Sequence, residues 1–376
     1  MAAVILAAGM SRRMKNHPSK PKPGLPEAPP EAGPKQLLRL SGRPLLQHTL
    51  DSVRRSQVDE IVLVLGFAAE SVMQQITAYG VRVIVNQEFE QGMGTSLRAG
   101  ISALGPSANA AFAVLADQPF VRPETLNRMI AYHKESGAQI TIPLYRGFRG
   151  NPVLLDRSVF PEVMGLSGDV GCRAIFGSHT QGIHKLDVDD PGTLLDIDSF
   201  EDFEKLTRPG WAGELGLPDL EVREGLAADW LPELVIVGRD AVARALSRLG
   251  QVLGFTTILV DPFLKLTDAP EAGGILHVMD FSRLGRKKER YVLVASRGQF
   301  DEEGVEQAVR SGASYVALLA NRKRASEIFS SLQLKGLPEE KLAKVRAPAG
   351  LEIGAESPEE IALSILAEIV RQRRKG

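Results

Sequence analysis

Small residues followed closely by cations stand near the start of the sequence, where they could hold a polyphosphate. Residues 4–6 form a short apolar run of the kind that is buried in a parallel sheet. Residues 7–9 are alanine, alanine and glycine, so a ligand could lie against bare backbone N–H groups, and Arg12 and Arg13 supply positive charge shortly afterwards. This order predicts a nucleoside triphosphate site, although a strand followed by small residues is also common in α/β proteins without one.

Carboxylates are concentrated at two other places and could hold a divalent cation. Asp117 follows the apolar run 112–115, and Pro119 restricts the backbone two residues later. Further aspartates crowd a later segment that contains proline and glycine; they are Asp187, Asp189, Asp190, Asp196 and Asp198. Carboxylates this close repel one another unless a cation or a basic partner lies among them. Two alternatives stay open: Asp117 could cap a turn or helix, and the later aspartates could form a solvated loop.

Alternating strands and helices in the first half decide where these residues lie. The predicted elements are a helix opened by Pro44 over 45–53, a strand over 61–65, a helix over 68–78, a strand over 82–85, a helix over 95–104 and a strand over 111–115. Such alternation implies parallel strands joined by right-handed crossovers. Ligands of such sheets collect at the carboxyl ends of the strands, so residues 7–9, Asn86 and Asp117 should share one rim.

Overall composition narrows the class of protein. The 376 residues, 44% apolar and 24% charged, are enough for two domains with a core each. A formal net charge of −1 and the lack of a sustained run of Lys or Arg argue against nucleic acid binding. The single cysteine, Cys172, excludes a disulfide framework within one chain and fits a reducing compartment. No apolar stretch reaches membrane-spanning length and no basic leader precedes one, so we expect a cytoplasmic protein without membrane contact.

Residues 15–34 are crowded with prolines and differ in composition from their surroundings. Such a segment cannot lie inside a helix or a sheet, and we expect a mobile loop between the first strand and Lys35. Beside a triphosphate the loop could close as a lid. A passive insertion is favoured, because loops tolerate added length at little cost.

Several motifs of the first half occur in a fixed order. They are segments 6–14, 34–38, 92–100, 116–119, 147–152, 168–173 and 196–198, together with Asn86. Over about residues 2–207 they resemble the signature of the molybdenum cofactor nucleotidyltransferases. The form Leu-Ala-Ala-Gly combined with Asp-Gln-Pro is similar to the branch that uses CTP, whereas Leu-Ala-Gly-Gly is more typical of the GTP branch. The insertion at 15–34 departs from the family, in which the segments around Arg13 and Lys35 are nearly continuous.

This resemblance implies an α/β, Rossmann-like nucleotidyltransferase domain of the GT-A-like type, which would transfer a cytidylyl group from CTP to the terminal phosphate of molybdopterin. Arg13, Lys35 and Asp117 would be catalytic, and Asp117 with Asp196 or Asp198 would hold Mg²⁺. The residues holding the nucleotide would be Leu6, Ala7, Ala8, Gly9, Asn86, Gly92 and Ser96. The residues facing the pterin would be Arg149, Asn151, Gly168, Asp169 and Arg173, with structural roles for Arg149 and Asp169 equally open.

A second core is predicted after a linker at 208–231, giving domains over 1–207 and 232–376. An apolar run from Leu234 meets Gly238, a helix follows, and the strand 257–260 ends at Asp261. This is the layout of a dinucleotide-binding unit in which Gly238 and Asp261 would contact the ligand. Asp240 stands where the second glycine is needed, and its charge would oppose a pyrophosphate. We therefore expect the fold without firm NAD binding.

Motifs at 291–298, 321–324, 347–355 and 357–369 resemble the C-terminal domain of the accessory proteins for xanthine dehydrogenase maturation. The resemblance implies a second, smaller Rossmann-like α/β domain that holds finished cofactor and delivers it to a xanthine dehydrogenase-type molybdoenzyme. The chain lacks the family's Gly-x-Gly-His pattern near Gly238, its histidine at the position of Gln299 and its Gly-Ser at 320–321. These departures weaken any claim of catalysis in the second domain.

Other functions fit part of the pattern. A GTP-using homologue, or a sugar-phosphate or polyol-phosphate cytidylyltransferase, would share the fold together with Arg13, Lys35 and Asp117. A carrier of molybdenum cofactor without enzymatic activity would keep the transferase site only as a vestige. Turnover of nucleotides separates these alternatives.

Overall fold

The computed structural model describes residues 1–9, 34–40, 42–199, 202–203, 219–222, 232–285 and 289–374. Arg12, Arg13 and the predicted loop at 15–34, except Pro34, lie outside these ranges. The chain divides into two compact units, residues 1–145 with 149–215 and residues 216–376 with 146–148.

A mixed sheet of eight described strands forms the centre of the first unit. The strands are β1 (Ala2–Ala7), β4 (Glu60–Leu65), β5 (Arg82–Val85), β6 (Ala110–Leu115), β7 (Ile140–Tyr145), β8 (Phe148–Arg149), β9 (Val153–Asp156) and β10 (Ile183–Asp187). Their order is β10-β7-β9-β6-β1-β4-β5, with β8 paired to β7. Pairings along this order are parallel except the two that β9 makes with β6 and β7. A short antiparallel pair, β2 (Arg39–Leu40) and β3 (Arg43–Pro44), stands apart from the sheet.

Helices pack on both faces of this sheet. They are α1 (Leu45–Arg55), α2 (Ala69–Gln75), α3 (Met93–Ser102), α4 (Pro123–Ser136) and α5 (Phe160–Met164). Because side chains alternate along a strand, β1 contributes to two cores. Ala3 and Ile5 pack with Leu46 of α1, whereas Val4 packs with Leu97 of α3. The carboxyl end of β1 is therefore fixed from both sides.

The second unit contains a smaller sheet. Its strands are β11 (Leu220–Val222), β12 (Glu233–Val237), β13 (Thr256–Val260), β14 (Gly274–Leu276), β15 (Arg290–Val294) and β16 (Tyr315–Leu318), in the order β11-β14-β13-β12-β15-β16. All pairings are parallel except that of β11. Without β11 the order is that of a doubly wound Rossmann-like sheet. The predicted linker 208–231 thus includes an edge strand of this sheet.

Helices of the second unit are α6 (Ala241–Val252), α7 (Asp301–Arg310), α8 (Arg322–Leu334), α9 (Glu339–Leu342) and α10 (Pro358–Arg373). At the start of α10 Ser357 and Glu360 form a reciprocal capping box, and Ile365 and Ile369 join the core. The α/β class and the two Rossmann-like sheets confirm the predicted fold. No helix in the described part of the chain has both the length and the apolar character that a membrane span requires.

Candidate functional site

Lys35 pairs with two aspartates beside the carboxyl end of β6. Its Nζ lies 2.5 Å from Asp117 Oδ2 and 2.9 Å from Asp198 Oδ1. Lys35 begins a short 3₁₀ turn (Lys35–Leu37), and Asp117 follows β6. Burial lowers the pKa of Lys35, but the two carboxylates outweigh burial and hold the pKa above its usual value. The amine therefore carries a full positive charge at neutral pH.

Asp196 brings a third carboxylate to this group. Gln118 Nε2 donates a hydrogen bond of 2.6 Å to Asp196 Oδ1, and the Ile197 N–H donates one of 3.0 Å to the Asp117 carbonyl oxygen. These contacts tie the 196–198 segment to the end of β6. Burial, reinforced by the charge of Asp117, raises the pKa of Asp196 to about 7. We call Lys35, Asp117, Asp196 and Asp198 the lysine–aspartate group.

The other aspartates predicted to cluster with them have different surroundings. Asp190 is buried and accepts hydrogen bonds from the N–H groups of Gly192 and Arg122 and from Thr125 Oγ1. Asp187 and Asp189 are exposed. Of the five, the structure thus brings Asp196 and Asp198 to Lys35, and Asp190 stabilises a turn.

The lysine–aspartate group has donors that suit a hard divalent cation. Asp117 Oδ1 is buried and has no hydrogen-bond partner among the described residues. Mg²⁺ in nucleotide enzymes is commonly held through one or two carboxylates, with phosphate and water oxygens completing the shell. The described residues contain no set of three or more His, Cys, Asp or Glu side chains arranged to hold a metal by themselves. Asp117 with Asp196 or Asp198 therefore fits such a cation when a ligand supplies further oxygens.

The turn after β1 is connected to the turn that carries Lys35. Leu6 and Ala7 end β1, Ala8 is buried, and Gly9 is exposed. Gln36 Nε2 donates hydrogen bonds to the carbonyl oxygens of Ala7 at 3.1 Å and Gly9 at 3.4 Å. The predicted phosphate turn and the lysine are thus held in a fixed relation. Gln36 was not predicted as a site residue, and the signal for it in the sequence is its position directly after Lys35.

Replacing Gln36 with leucine should lower the free energy of unfolding of the first unit by about 1–3 kcal/mol, because the buried Ala7 carbonyl group loses this donor. Urea unfolding followed by fluorescence measures the change. Gln74→Leu is the control, because Gln74 is exposed on α2. Equal stability of Gln36→Leu and the unmodified chain would contradict the proposed link between the two turns.

Asn86 and Ser96 come together, but the Asn86 amide is used within the protein. Asn86 Nδ2 donates to Thr95 Oγ1 at 2.9 Å and to Ser96 Oγ at 3.0 Å, and Asn86 Oδ1 accepts from the Glu88 N–H at 3.0 Å. The side chain therefore joins the end of β5 to the start of α3. A nucleotide contact through the Asn86 side chain would have to replace one of these bonds.

Gly92 and the segment after α5 meet at the N-terminus of α3. The Gly94 N–H donates to the Gly168 carbonyl oxygen at 3.1 Å, and the Met93 N–H approaches Asp169 Oδ1 at 3.5 Å. Gly92 has a φ of +115°, and a Cβ at this position would lie 2.4 Å from the Asp169 nitrogen. Asp169 thus faces the first turn of α3. This contact fits the structural role that the sequence left open for Asp169 beside a role in binding the pterin.

The remaining predicted residues of the first unit are distributed around β8, β9 and the turn Cys172–His179. Arg149 is buried, and its guanidinium lies 5.5 Å from the centre of the Phe176 ring. The Asn151 N–H donates to the Thr193 carbonyl oxygen at 2.9 Å. Arg173 is exposed. Binding of an acceptor by Arg149, Asn151 and Arg173 stays a prediction, and Arg13 lies outside the described residues.

Cys172 should resist alkylation and disulfide exchange in the folded chain. Burial raises the pKa of its thiol to about 12, so the thiolate fraction at pH 8 is about one part in ten thousand. Titration with a chromogenic disulfide reagent at pH 8 should give no reaction in the native protein and one equivalent after denaturation. Rapid labelling of the native protein would contradict the buried position.

In the second unit, Gly238 and Asp261 lie at the ends of β12 and β13. Gly238 has a φ of +128°, and a Cβ there would lie 2.6 Å from the Ala295 carbonyl oxygen. Asp261 Oδ1 accepts from the N–H groups of Phe263 at 2.9 Å and Leu264 at 2.8 Å, and Oδ2 lies 3.6 Å from Arg239 Nε. Asp261 therefore stabilises the turn after β13, and a ribose contact would compete with these partners.

Asp240 occupies the N-terminus of α6, where a dinucleotide would place its pyrophosphate. Its Oδ1 accepts from the Ala243 N–H at 2.9 Å, and its carboxylate also pairs with Arg297. The helix end is thus already capped by a negative group. A pyrophosphate at this helix end would have to compete with Asp240, and the lack of firm NAD binding stays a prediction.

A protonated lysine and grouped carboxylates beside a turn of small residues, at the carboxyl end of a mostly parallel sheet, are the arrangement of an α/β nucleotidyltransferase. Comparison with known families agrees. Residues 3–183 match the MobA-like NTP transferase domain, and residues 234–369 match the XdhC Rossmann domain. The chain therefore consists of a MobA-like NTP transferase domain followed by an XdhC Rossmann domain, which confirms both resemblances at the level of the family.

Individual relatives match one part of the chain each. YqeB of Escherichia coli (strain K12) is 33% identical over 152 residues, which are 39% of this chain and 28% of YqeB. Nicotine blue oxidoreductase of Paenarthrobacter nicotinovorans is 28% identical over 212 residues, which are 55% of this chain and 96% of that protein. The crystal structure of Rv0371c from Mycobacterium tuberculosis H37Rv covers 55% of this chain and 96% of its own, at 32% identity and a TM-score of 0.47. Rv0371C has also been crystallised in a complex with manganese.

Proposed function

We propose that the first unit transfers a cytidylyl group from CTP to the terminal phosphate of molybdopterin and releases pyrophosphate. The observation that carries the proposal is the lysine–aspartate group, in which Lys35 Nζ lies within 3 Å of both Asp117 and Asp198. Its position beside the turn at residues 7–9 supports a triphosphate as the ligand. The Leu-Ala-Ala-Gly form of that turn supports CTP over GTP.

The reaction needs two anions to be positioned and their charge to be neutralised, without a covalent nucleophile on the protein. In the proposal the turn at residues 7–9 holds phosphate oxygens by its N–H groups, and Lys35 contacts the β- and γ-phosphates. Arg13 would add a second cation. Asp117 with Asp196 or Asp198 would hold Mg²⁺, which supplies charge neutralisation at the reacting phosphates when bound.

The second unit is proposed to hold the product and to deliver it to a molybdoenzyme of the xanthine dehydrogenase type. Its membership of the XdhC Rossmann family supports this role.

We place the activity in the cytoplasm, because the single cysteine is buried and unpaired, as suits a reducing compartment.

A substrate panel tests the transferase. The full chain is incubated with Mg²⁺ or Mn²⁺, with CTP, GTP or ATP, and with molybdopterin, methylerythritol phosphate or a sugar phosphate, and pyrophosphate release is measured. We expect release with CTP and molybdopterin. Preference for GTP would identify the GTP branch, preference for a polyol or sugar phosphate would change the acceptor, and no release under any condition would reject the transferase.

Delivery requires a separate experiment. Binding of molybdopterin species and of a purified xanthine dehydrogenase to the full chain is measured by calorimetry. Lack of xanthine dehydrogenase binding would reject the delivery role and leave the transferase proposal intact, whereas lack of molybdopterin binding would reject both.

A further inference from the structure

Gln118 lies between the two carboxylate segments of the proposed cation site. We propose that Gln118 is a positioning residue, which orients Asp196 toward the cation that Asp117 shares. The inference rests on the proposed function, because it assumes that these carboxylates hold a divalent cation. It adds a residue that acts through Asp196 and is not one of the proposed nucleotide or acceptor contacts.

The Gln118 side chain is fixed in place. It is 1% exposed and directly follows Asp117 in the chain. Its Nε2 donates to Asp196 Oδ1 at 2.6 Å and approaches the Thr193 carbonyl oxygen at 3.4 Å. The amide hydrogens are therefore directed at the segment that carries Asp196, and the orientation of the amide is set by two acceptors.

Asp196 needs such a donor because of its neighbours. Lys35 Nζ contacts Asp117 and Asp198, and the hydrogen bond from Gln118 is directed at Asp196 instead. Asp196 lies close enough to both other carboxylates to be repelled by them. A neutral amide that donates to one oxygen holds the carboxylate in place and leaves its other oxygen for a cation. Residues that orient ligands in this way typically contribute about 10–100-fold to metal affinity.

A purely structural role makes a different prediction. If Gln118 only fills space and links the end of β6 to residues 193–196, its replacement lowers stability and changes metal affinity equally whatever residue stands at 196. If it acts by orienting the Asp196 carboxylate, its effect on metal affinity disappears once that carboxylate is an amide. A double-mutant cycle separates the two.

The cycle uses the full chain with CTP present and Mn²⁺ as the probe, and electron paramagnetic resonance measures the Mn²⁺ held by the protein against a solution of CTP and Mn²⁺ without protein. The variants are Gln118→Met, Asp196→Asn and the double variant. Methionine has a similar volume and no donor. The matched control is Gln47→Met, because Gln47 is also a buried glutamine whose Nε2 donates to an aspartate, Asp51, at 2.9 Å.

We expect Gln118→Met to weaken Mn²⁺ binding about tenfold in the natural background and less than twofold in the Asp196→Asn background. Gln47→Met should leave Mn²⁺ affinity unchanged. Thermal unfolding without metal checks that each variant folds. Gln118→Asn, which withdraws the amide by one methylene, replaces Gln118→Met if that variant does not fold.

Two outcomes would overturn the inference. Unchanged Mn²⁺ affinity in Gln118→Met, or an equal loss in both backgrounds, would leave Gln118 with a structural role only. Failure of the proposed function gives a different result. In that case the unmodified chain with CTP shows no Mn²⁺ binding by the protein, before any variant is compared.

Discussion

Replacing Lys35 with methionine should lower CTP-dependent turnover by roughly a hundredfold or more, because it removes a preorganised positive group from the place where negative charge develops in the transition state. Methionine keeps the aliphatic stem of the side chain and removes only the cation. The loss should appear in kcat, because charge on the phosphates increases as pyrophosphate departs. Pyrophosphate release under saturating CTP measures it.

The same substitution also removes a counter-charge from Asp117 and Asp198, so stability has to be measured separately. Lys335→Met is the matched control. Lys335 Nζ lies 2.7 Å from Glu302 Oε1, and the side chains of Lys335 and Lys35 are 18% and 16% exposed. We expect both variants to unfold more readily and Lys335→Met to keep full turnover. Full turnover in Lys35→Met would remove Lys35 from the mechanism.

Asp117→Asn should also reduce turnover by roughly a hundredfold or more. We expect Mn²⁺ to raise the melting temperature of the unmodified chain, and Asp117→Asn should abolish that increase. Asparagine has the shape of aspartate but supplies no charge to a cation. It also places an amide where Asp117 Oδ1 is buried and has no hydrogen-bond partner in the described part of the chain. Melting temperatures with and without Mn²⁺ and CTP therefore report on the same atom as the kinetic assay.

Asp51→Asn controls for the loss of a partly buried ion pair. The side chains of Asp51 and Asp117 are both 17% exposed, and Asp51 pairs with Arg43 at 2.5 Å. We expect Asp51→Asn to keep both turnover and the Mn²⁺-dependent shift. A shift in Asp117→Asn as large as in the unmodified chain would place the cation elsewhere.

Several strands of the first sheet could be predicted from the sequence, because buried parallel strands are continuous apolar runs. Strands predicted over 61–65, 82–85 and 111–115 appear as Glu60–Leu65, Arg82–Val85 and Ala110–Leu115. The reversed strand β9 and the edge strand β11 were not predicted. Each is short, and strand direction depends on tertiary pairing that a local apolar pattern does not encode.

The residues of the candidate site could also be predicted only in part. The structure brings Lys35, Asp117 and Asp198 together through opposite charges beside one strand end, and their contacts with a nucleotide and a cation stay predictions. Asn86 and Asp261 were predicted to contact ligands, but in the structure Asn86 bonds to a hydroxyl and Asp261 to backbone N–H groups. Short polar side chains commonly form such local hydrogen bonds. Sequence pattern does not distinguish a ligand contact from a cap. Gln36 and Gln118 were missed because a neutral amide carries no charge pattern to single it out.

The pairing of Lys35 with two aspartates has a consequence for the order of binding. For Lys35 to contact an incoming triphosphate, its ammonium has to leave at least one of these carboxylates, which then loses that counter-charge. A nucleotide that carries its own divalent ion gives the Lys35 ammonium a phosphate partner and gives the carboxylate a cation in the same step. Nucleotide and ion should therefore strengthen each other's binding by the same factor.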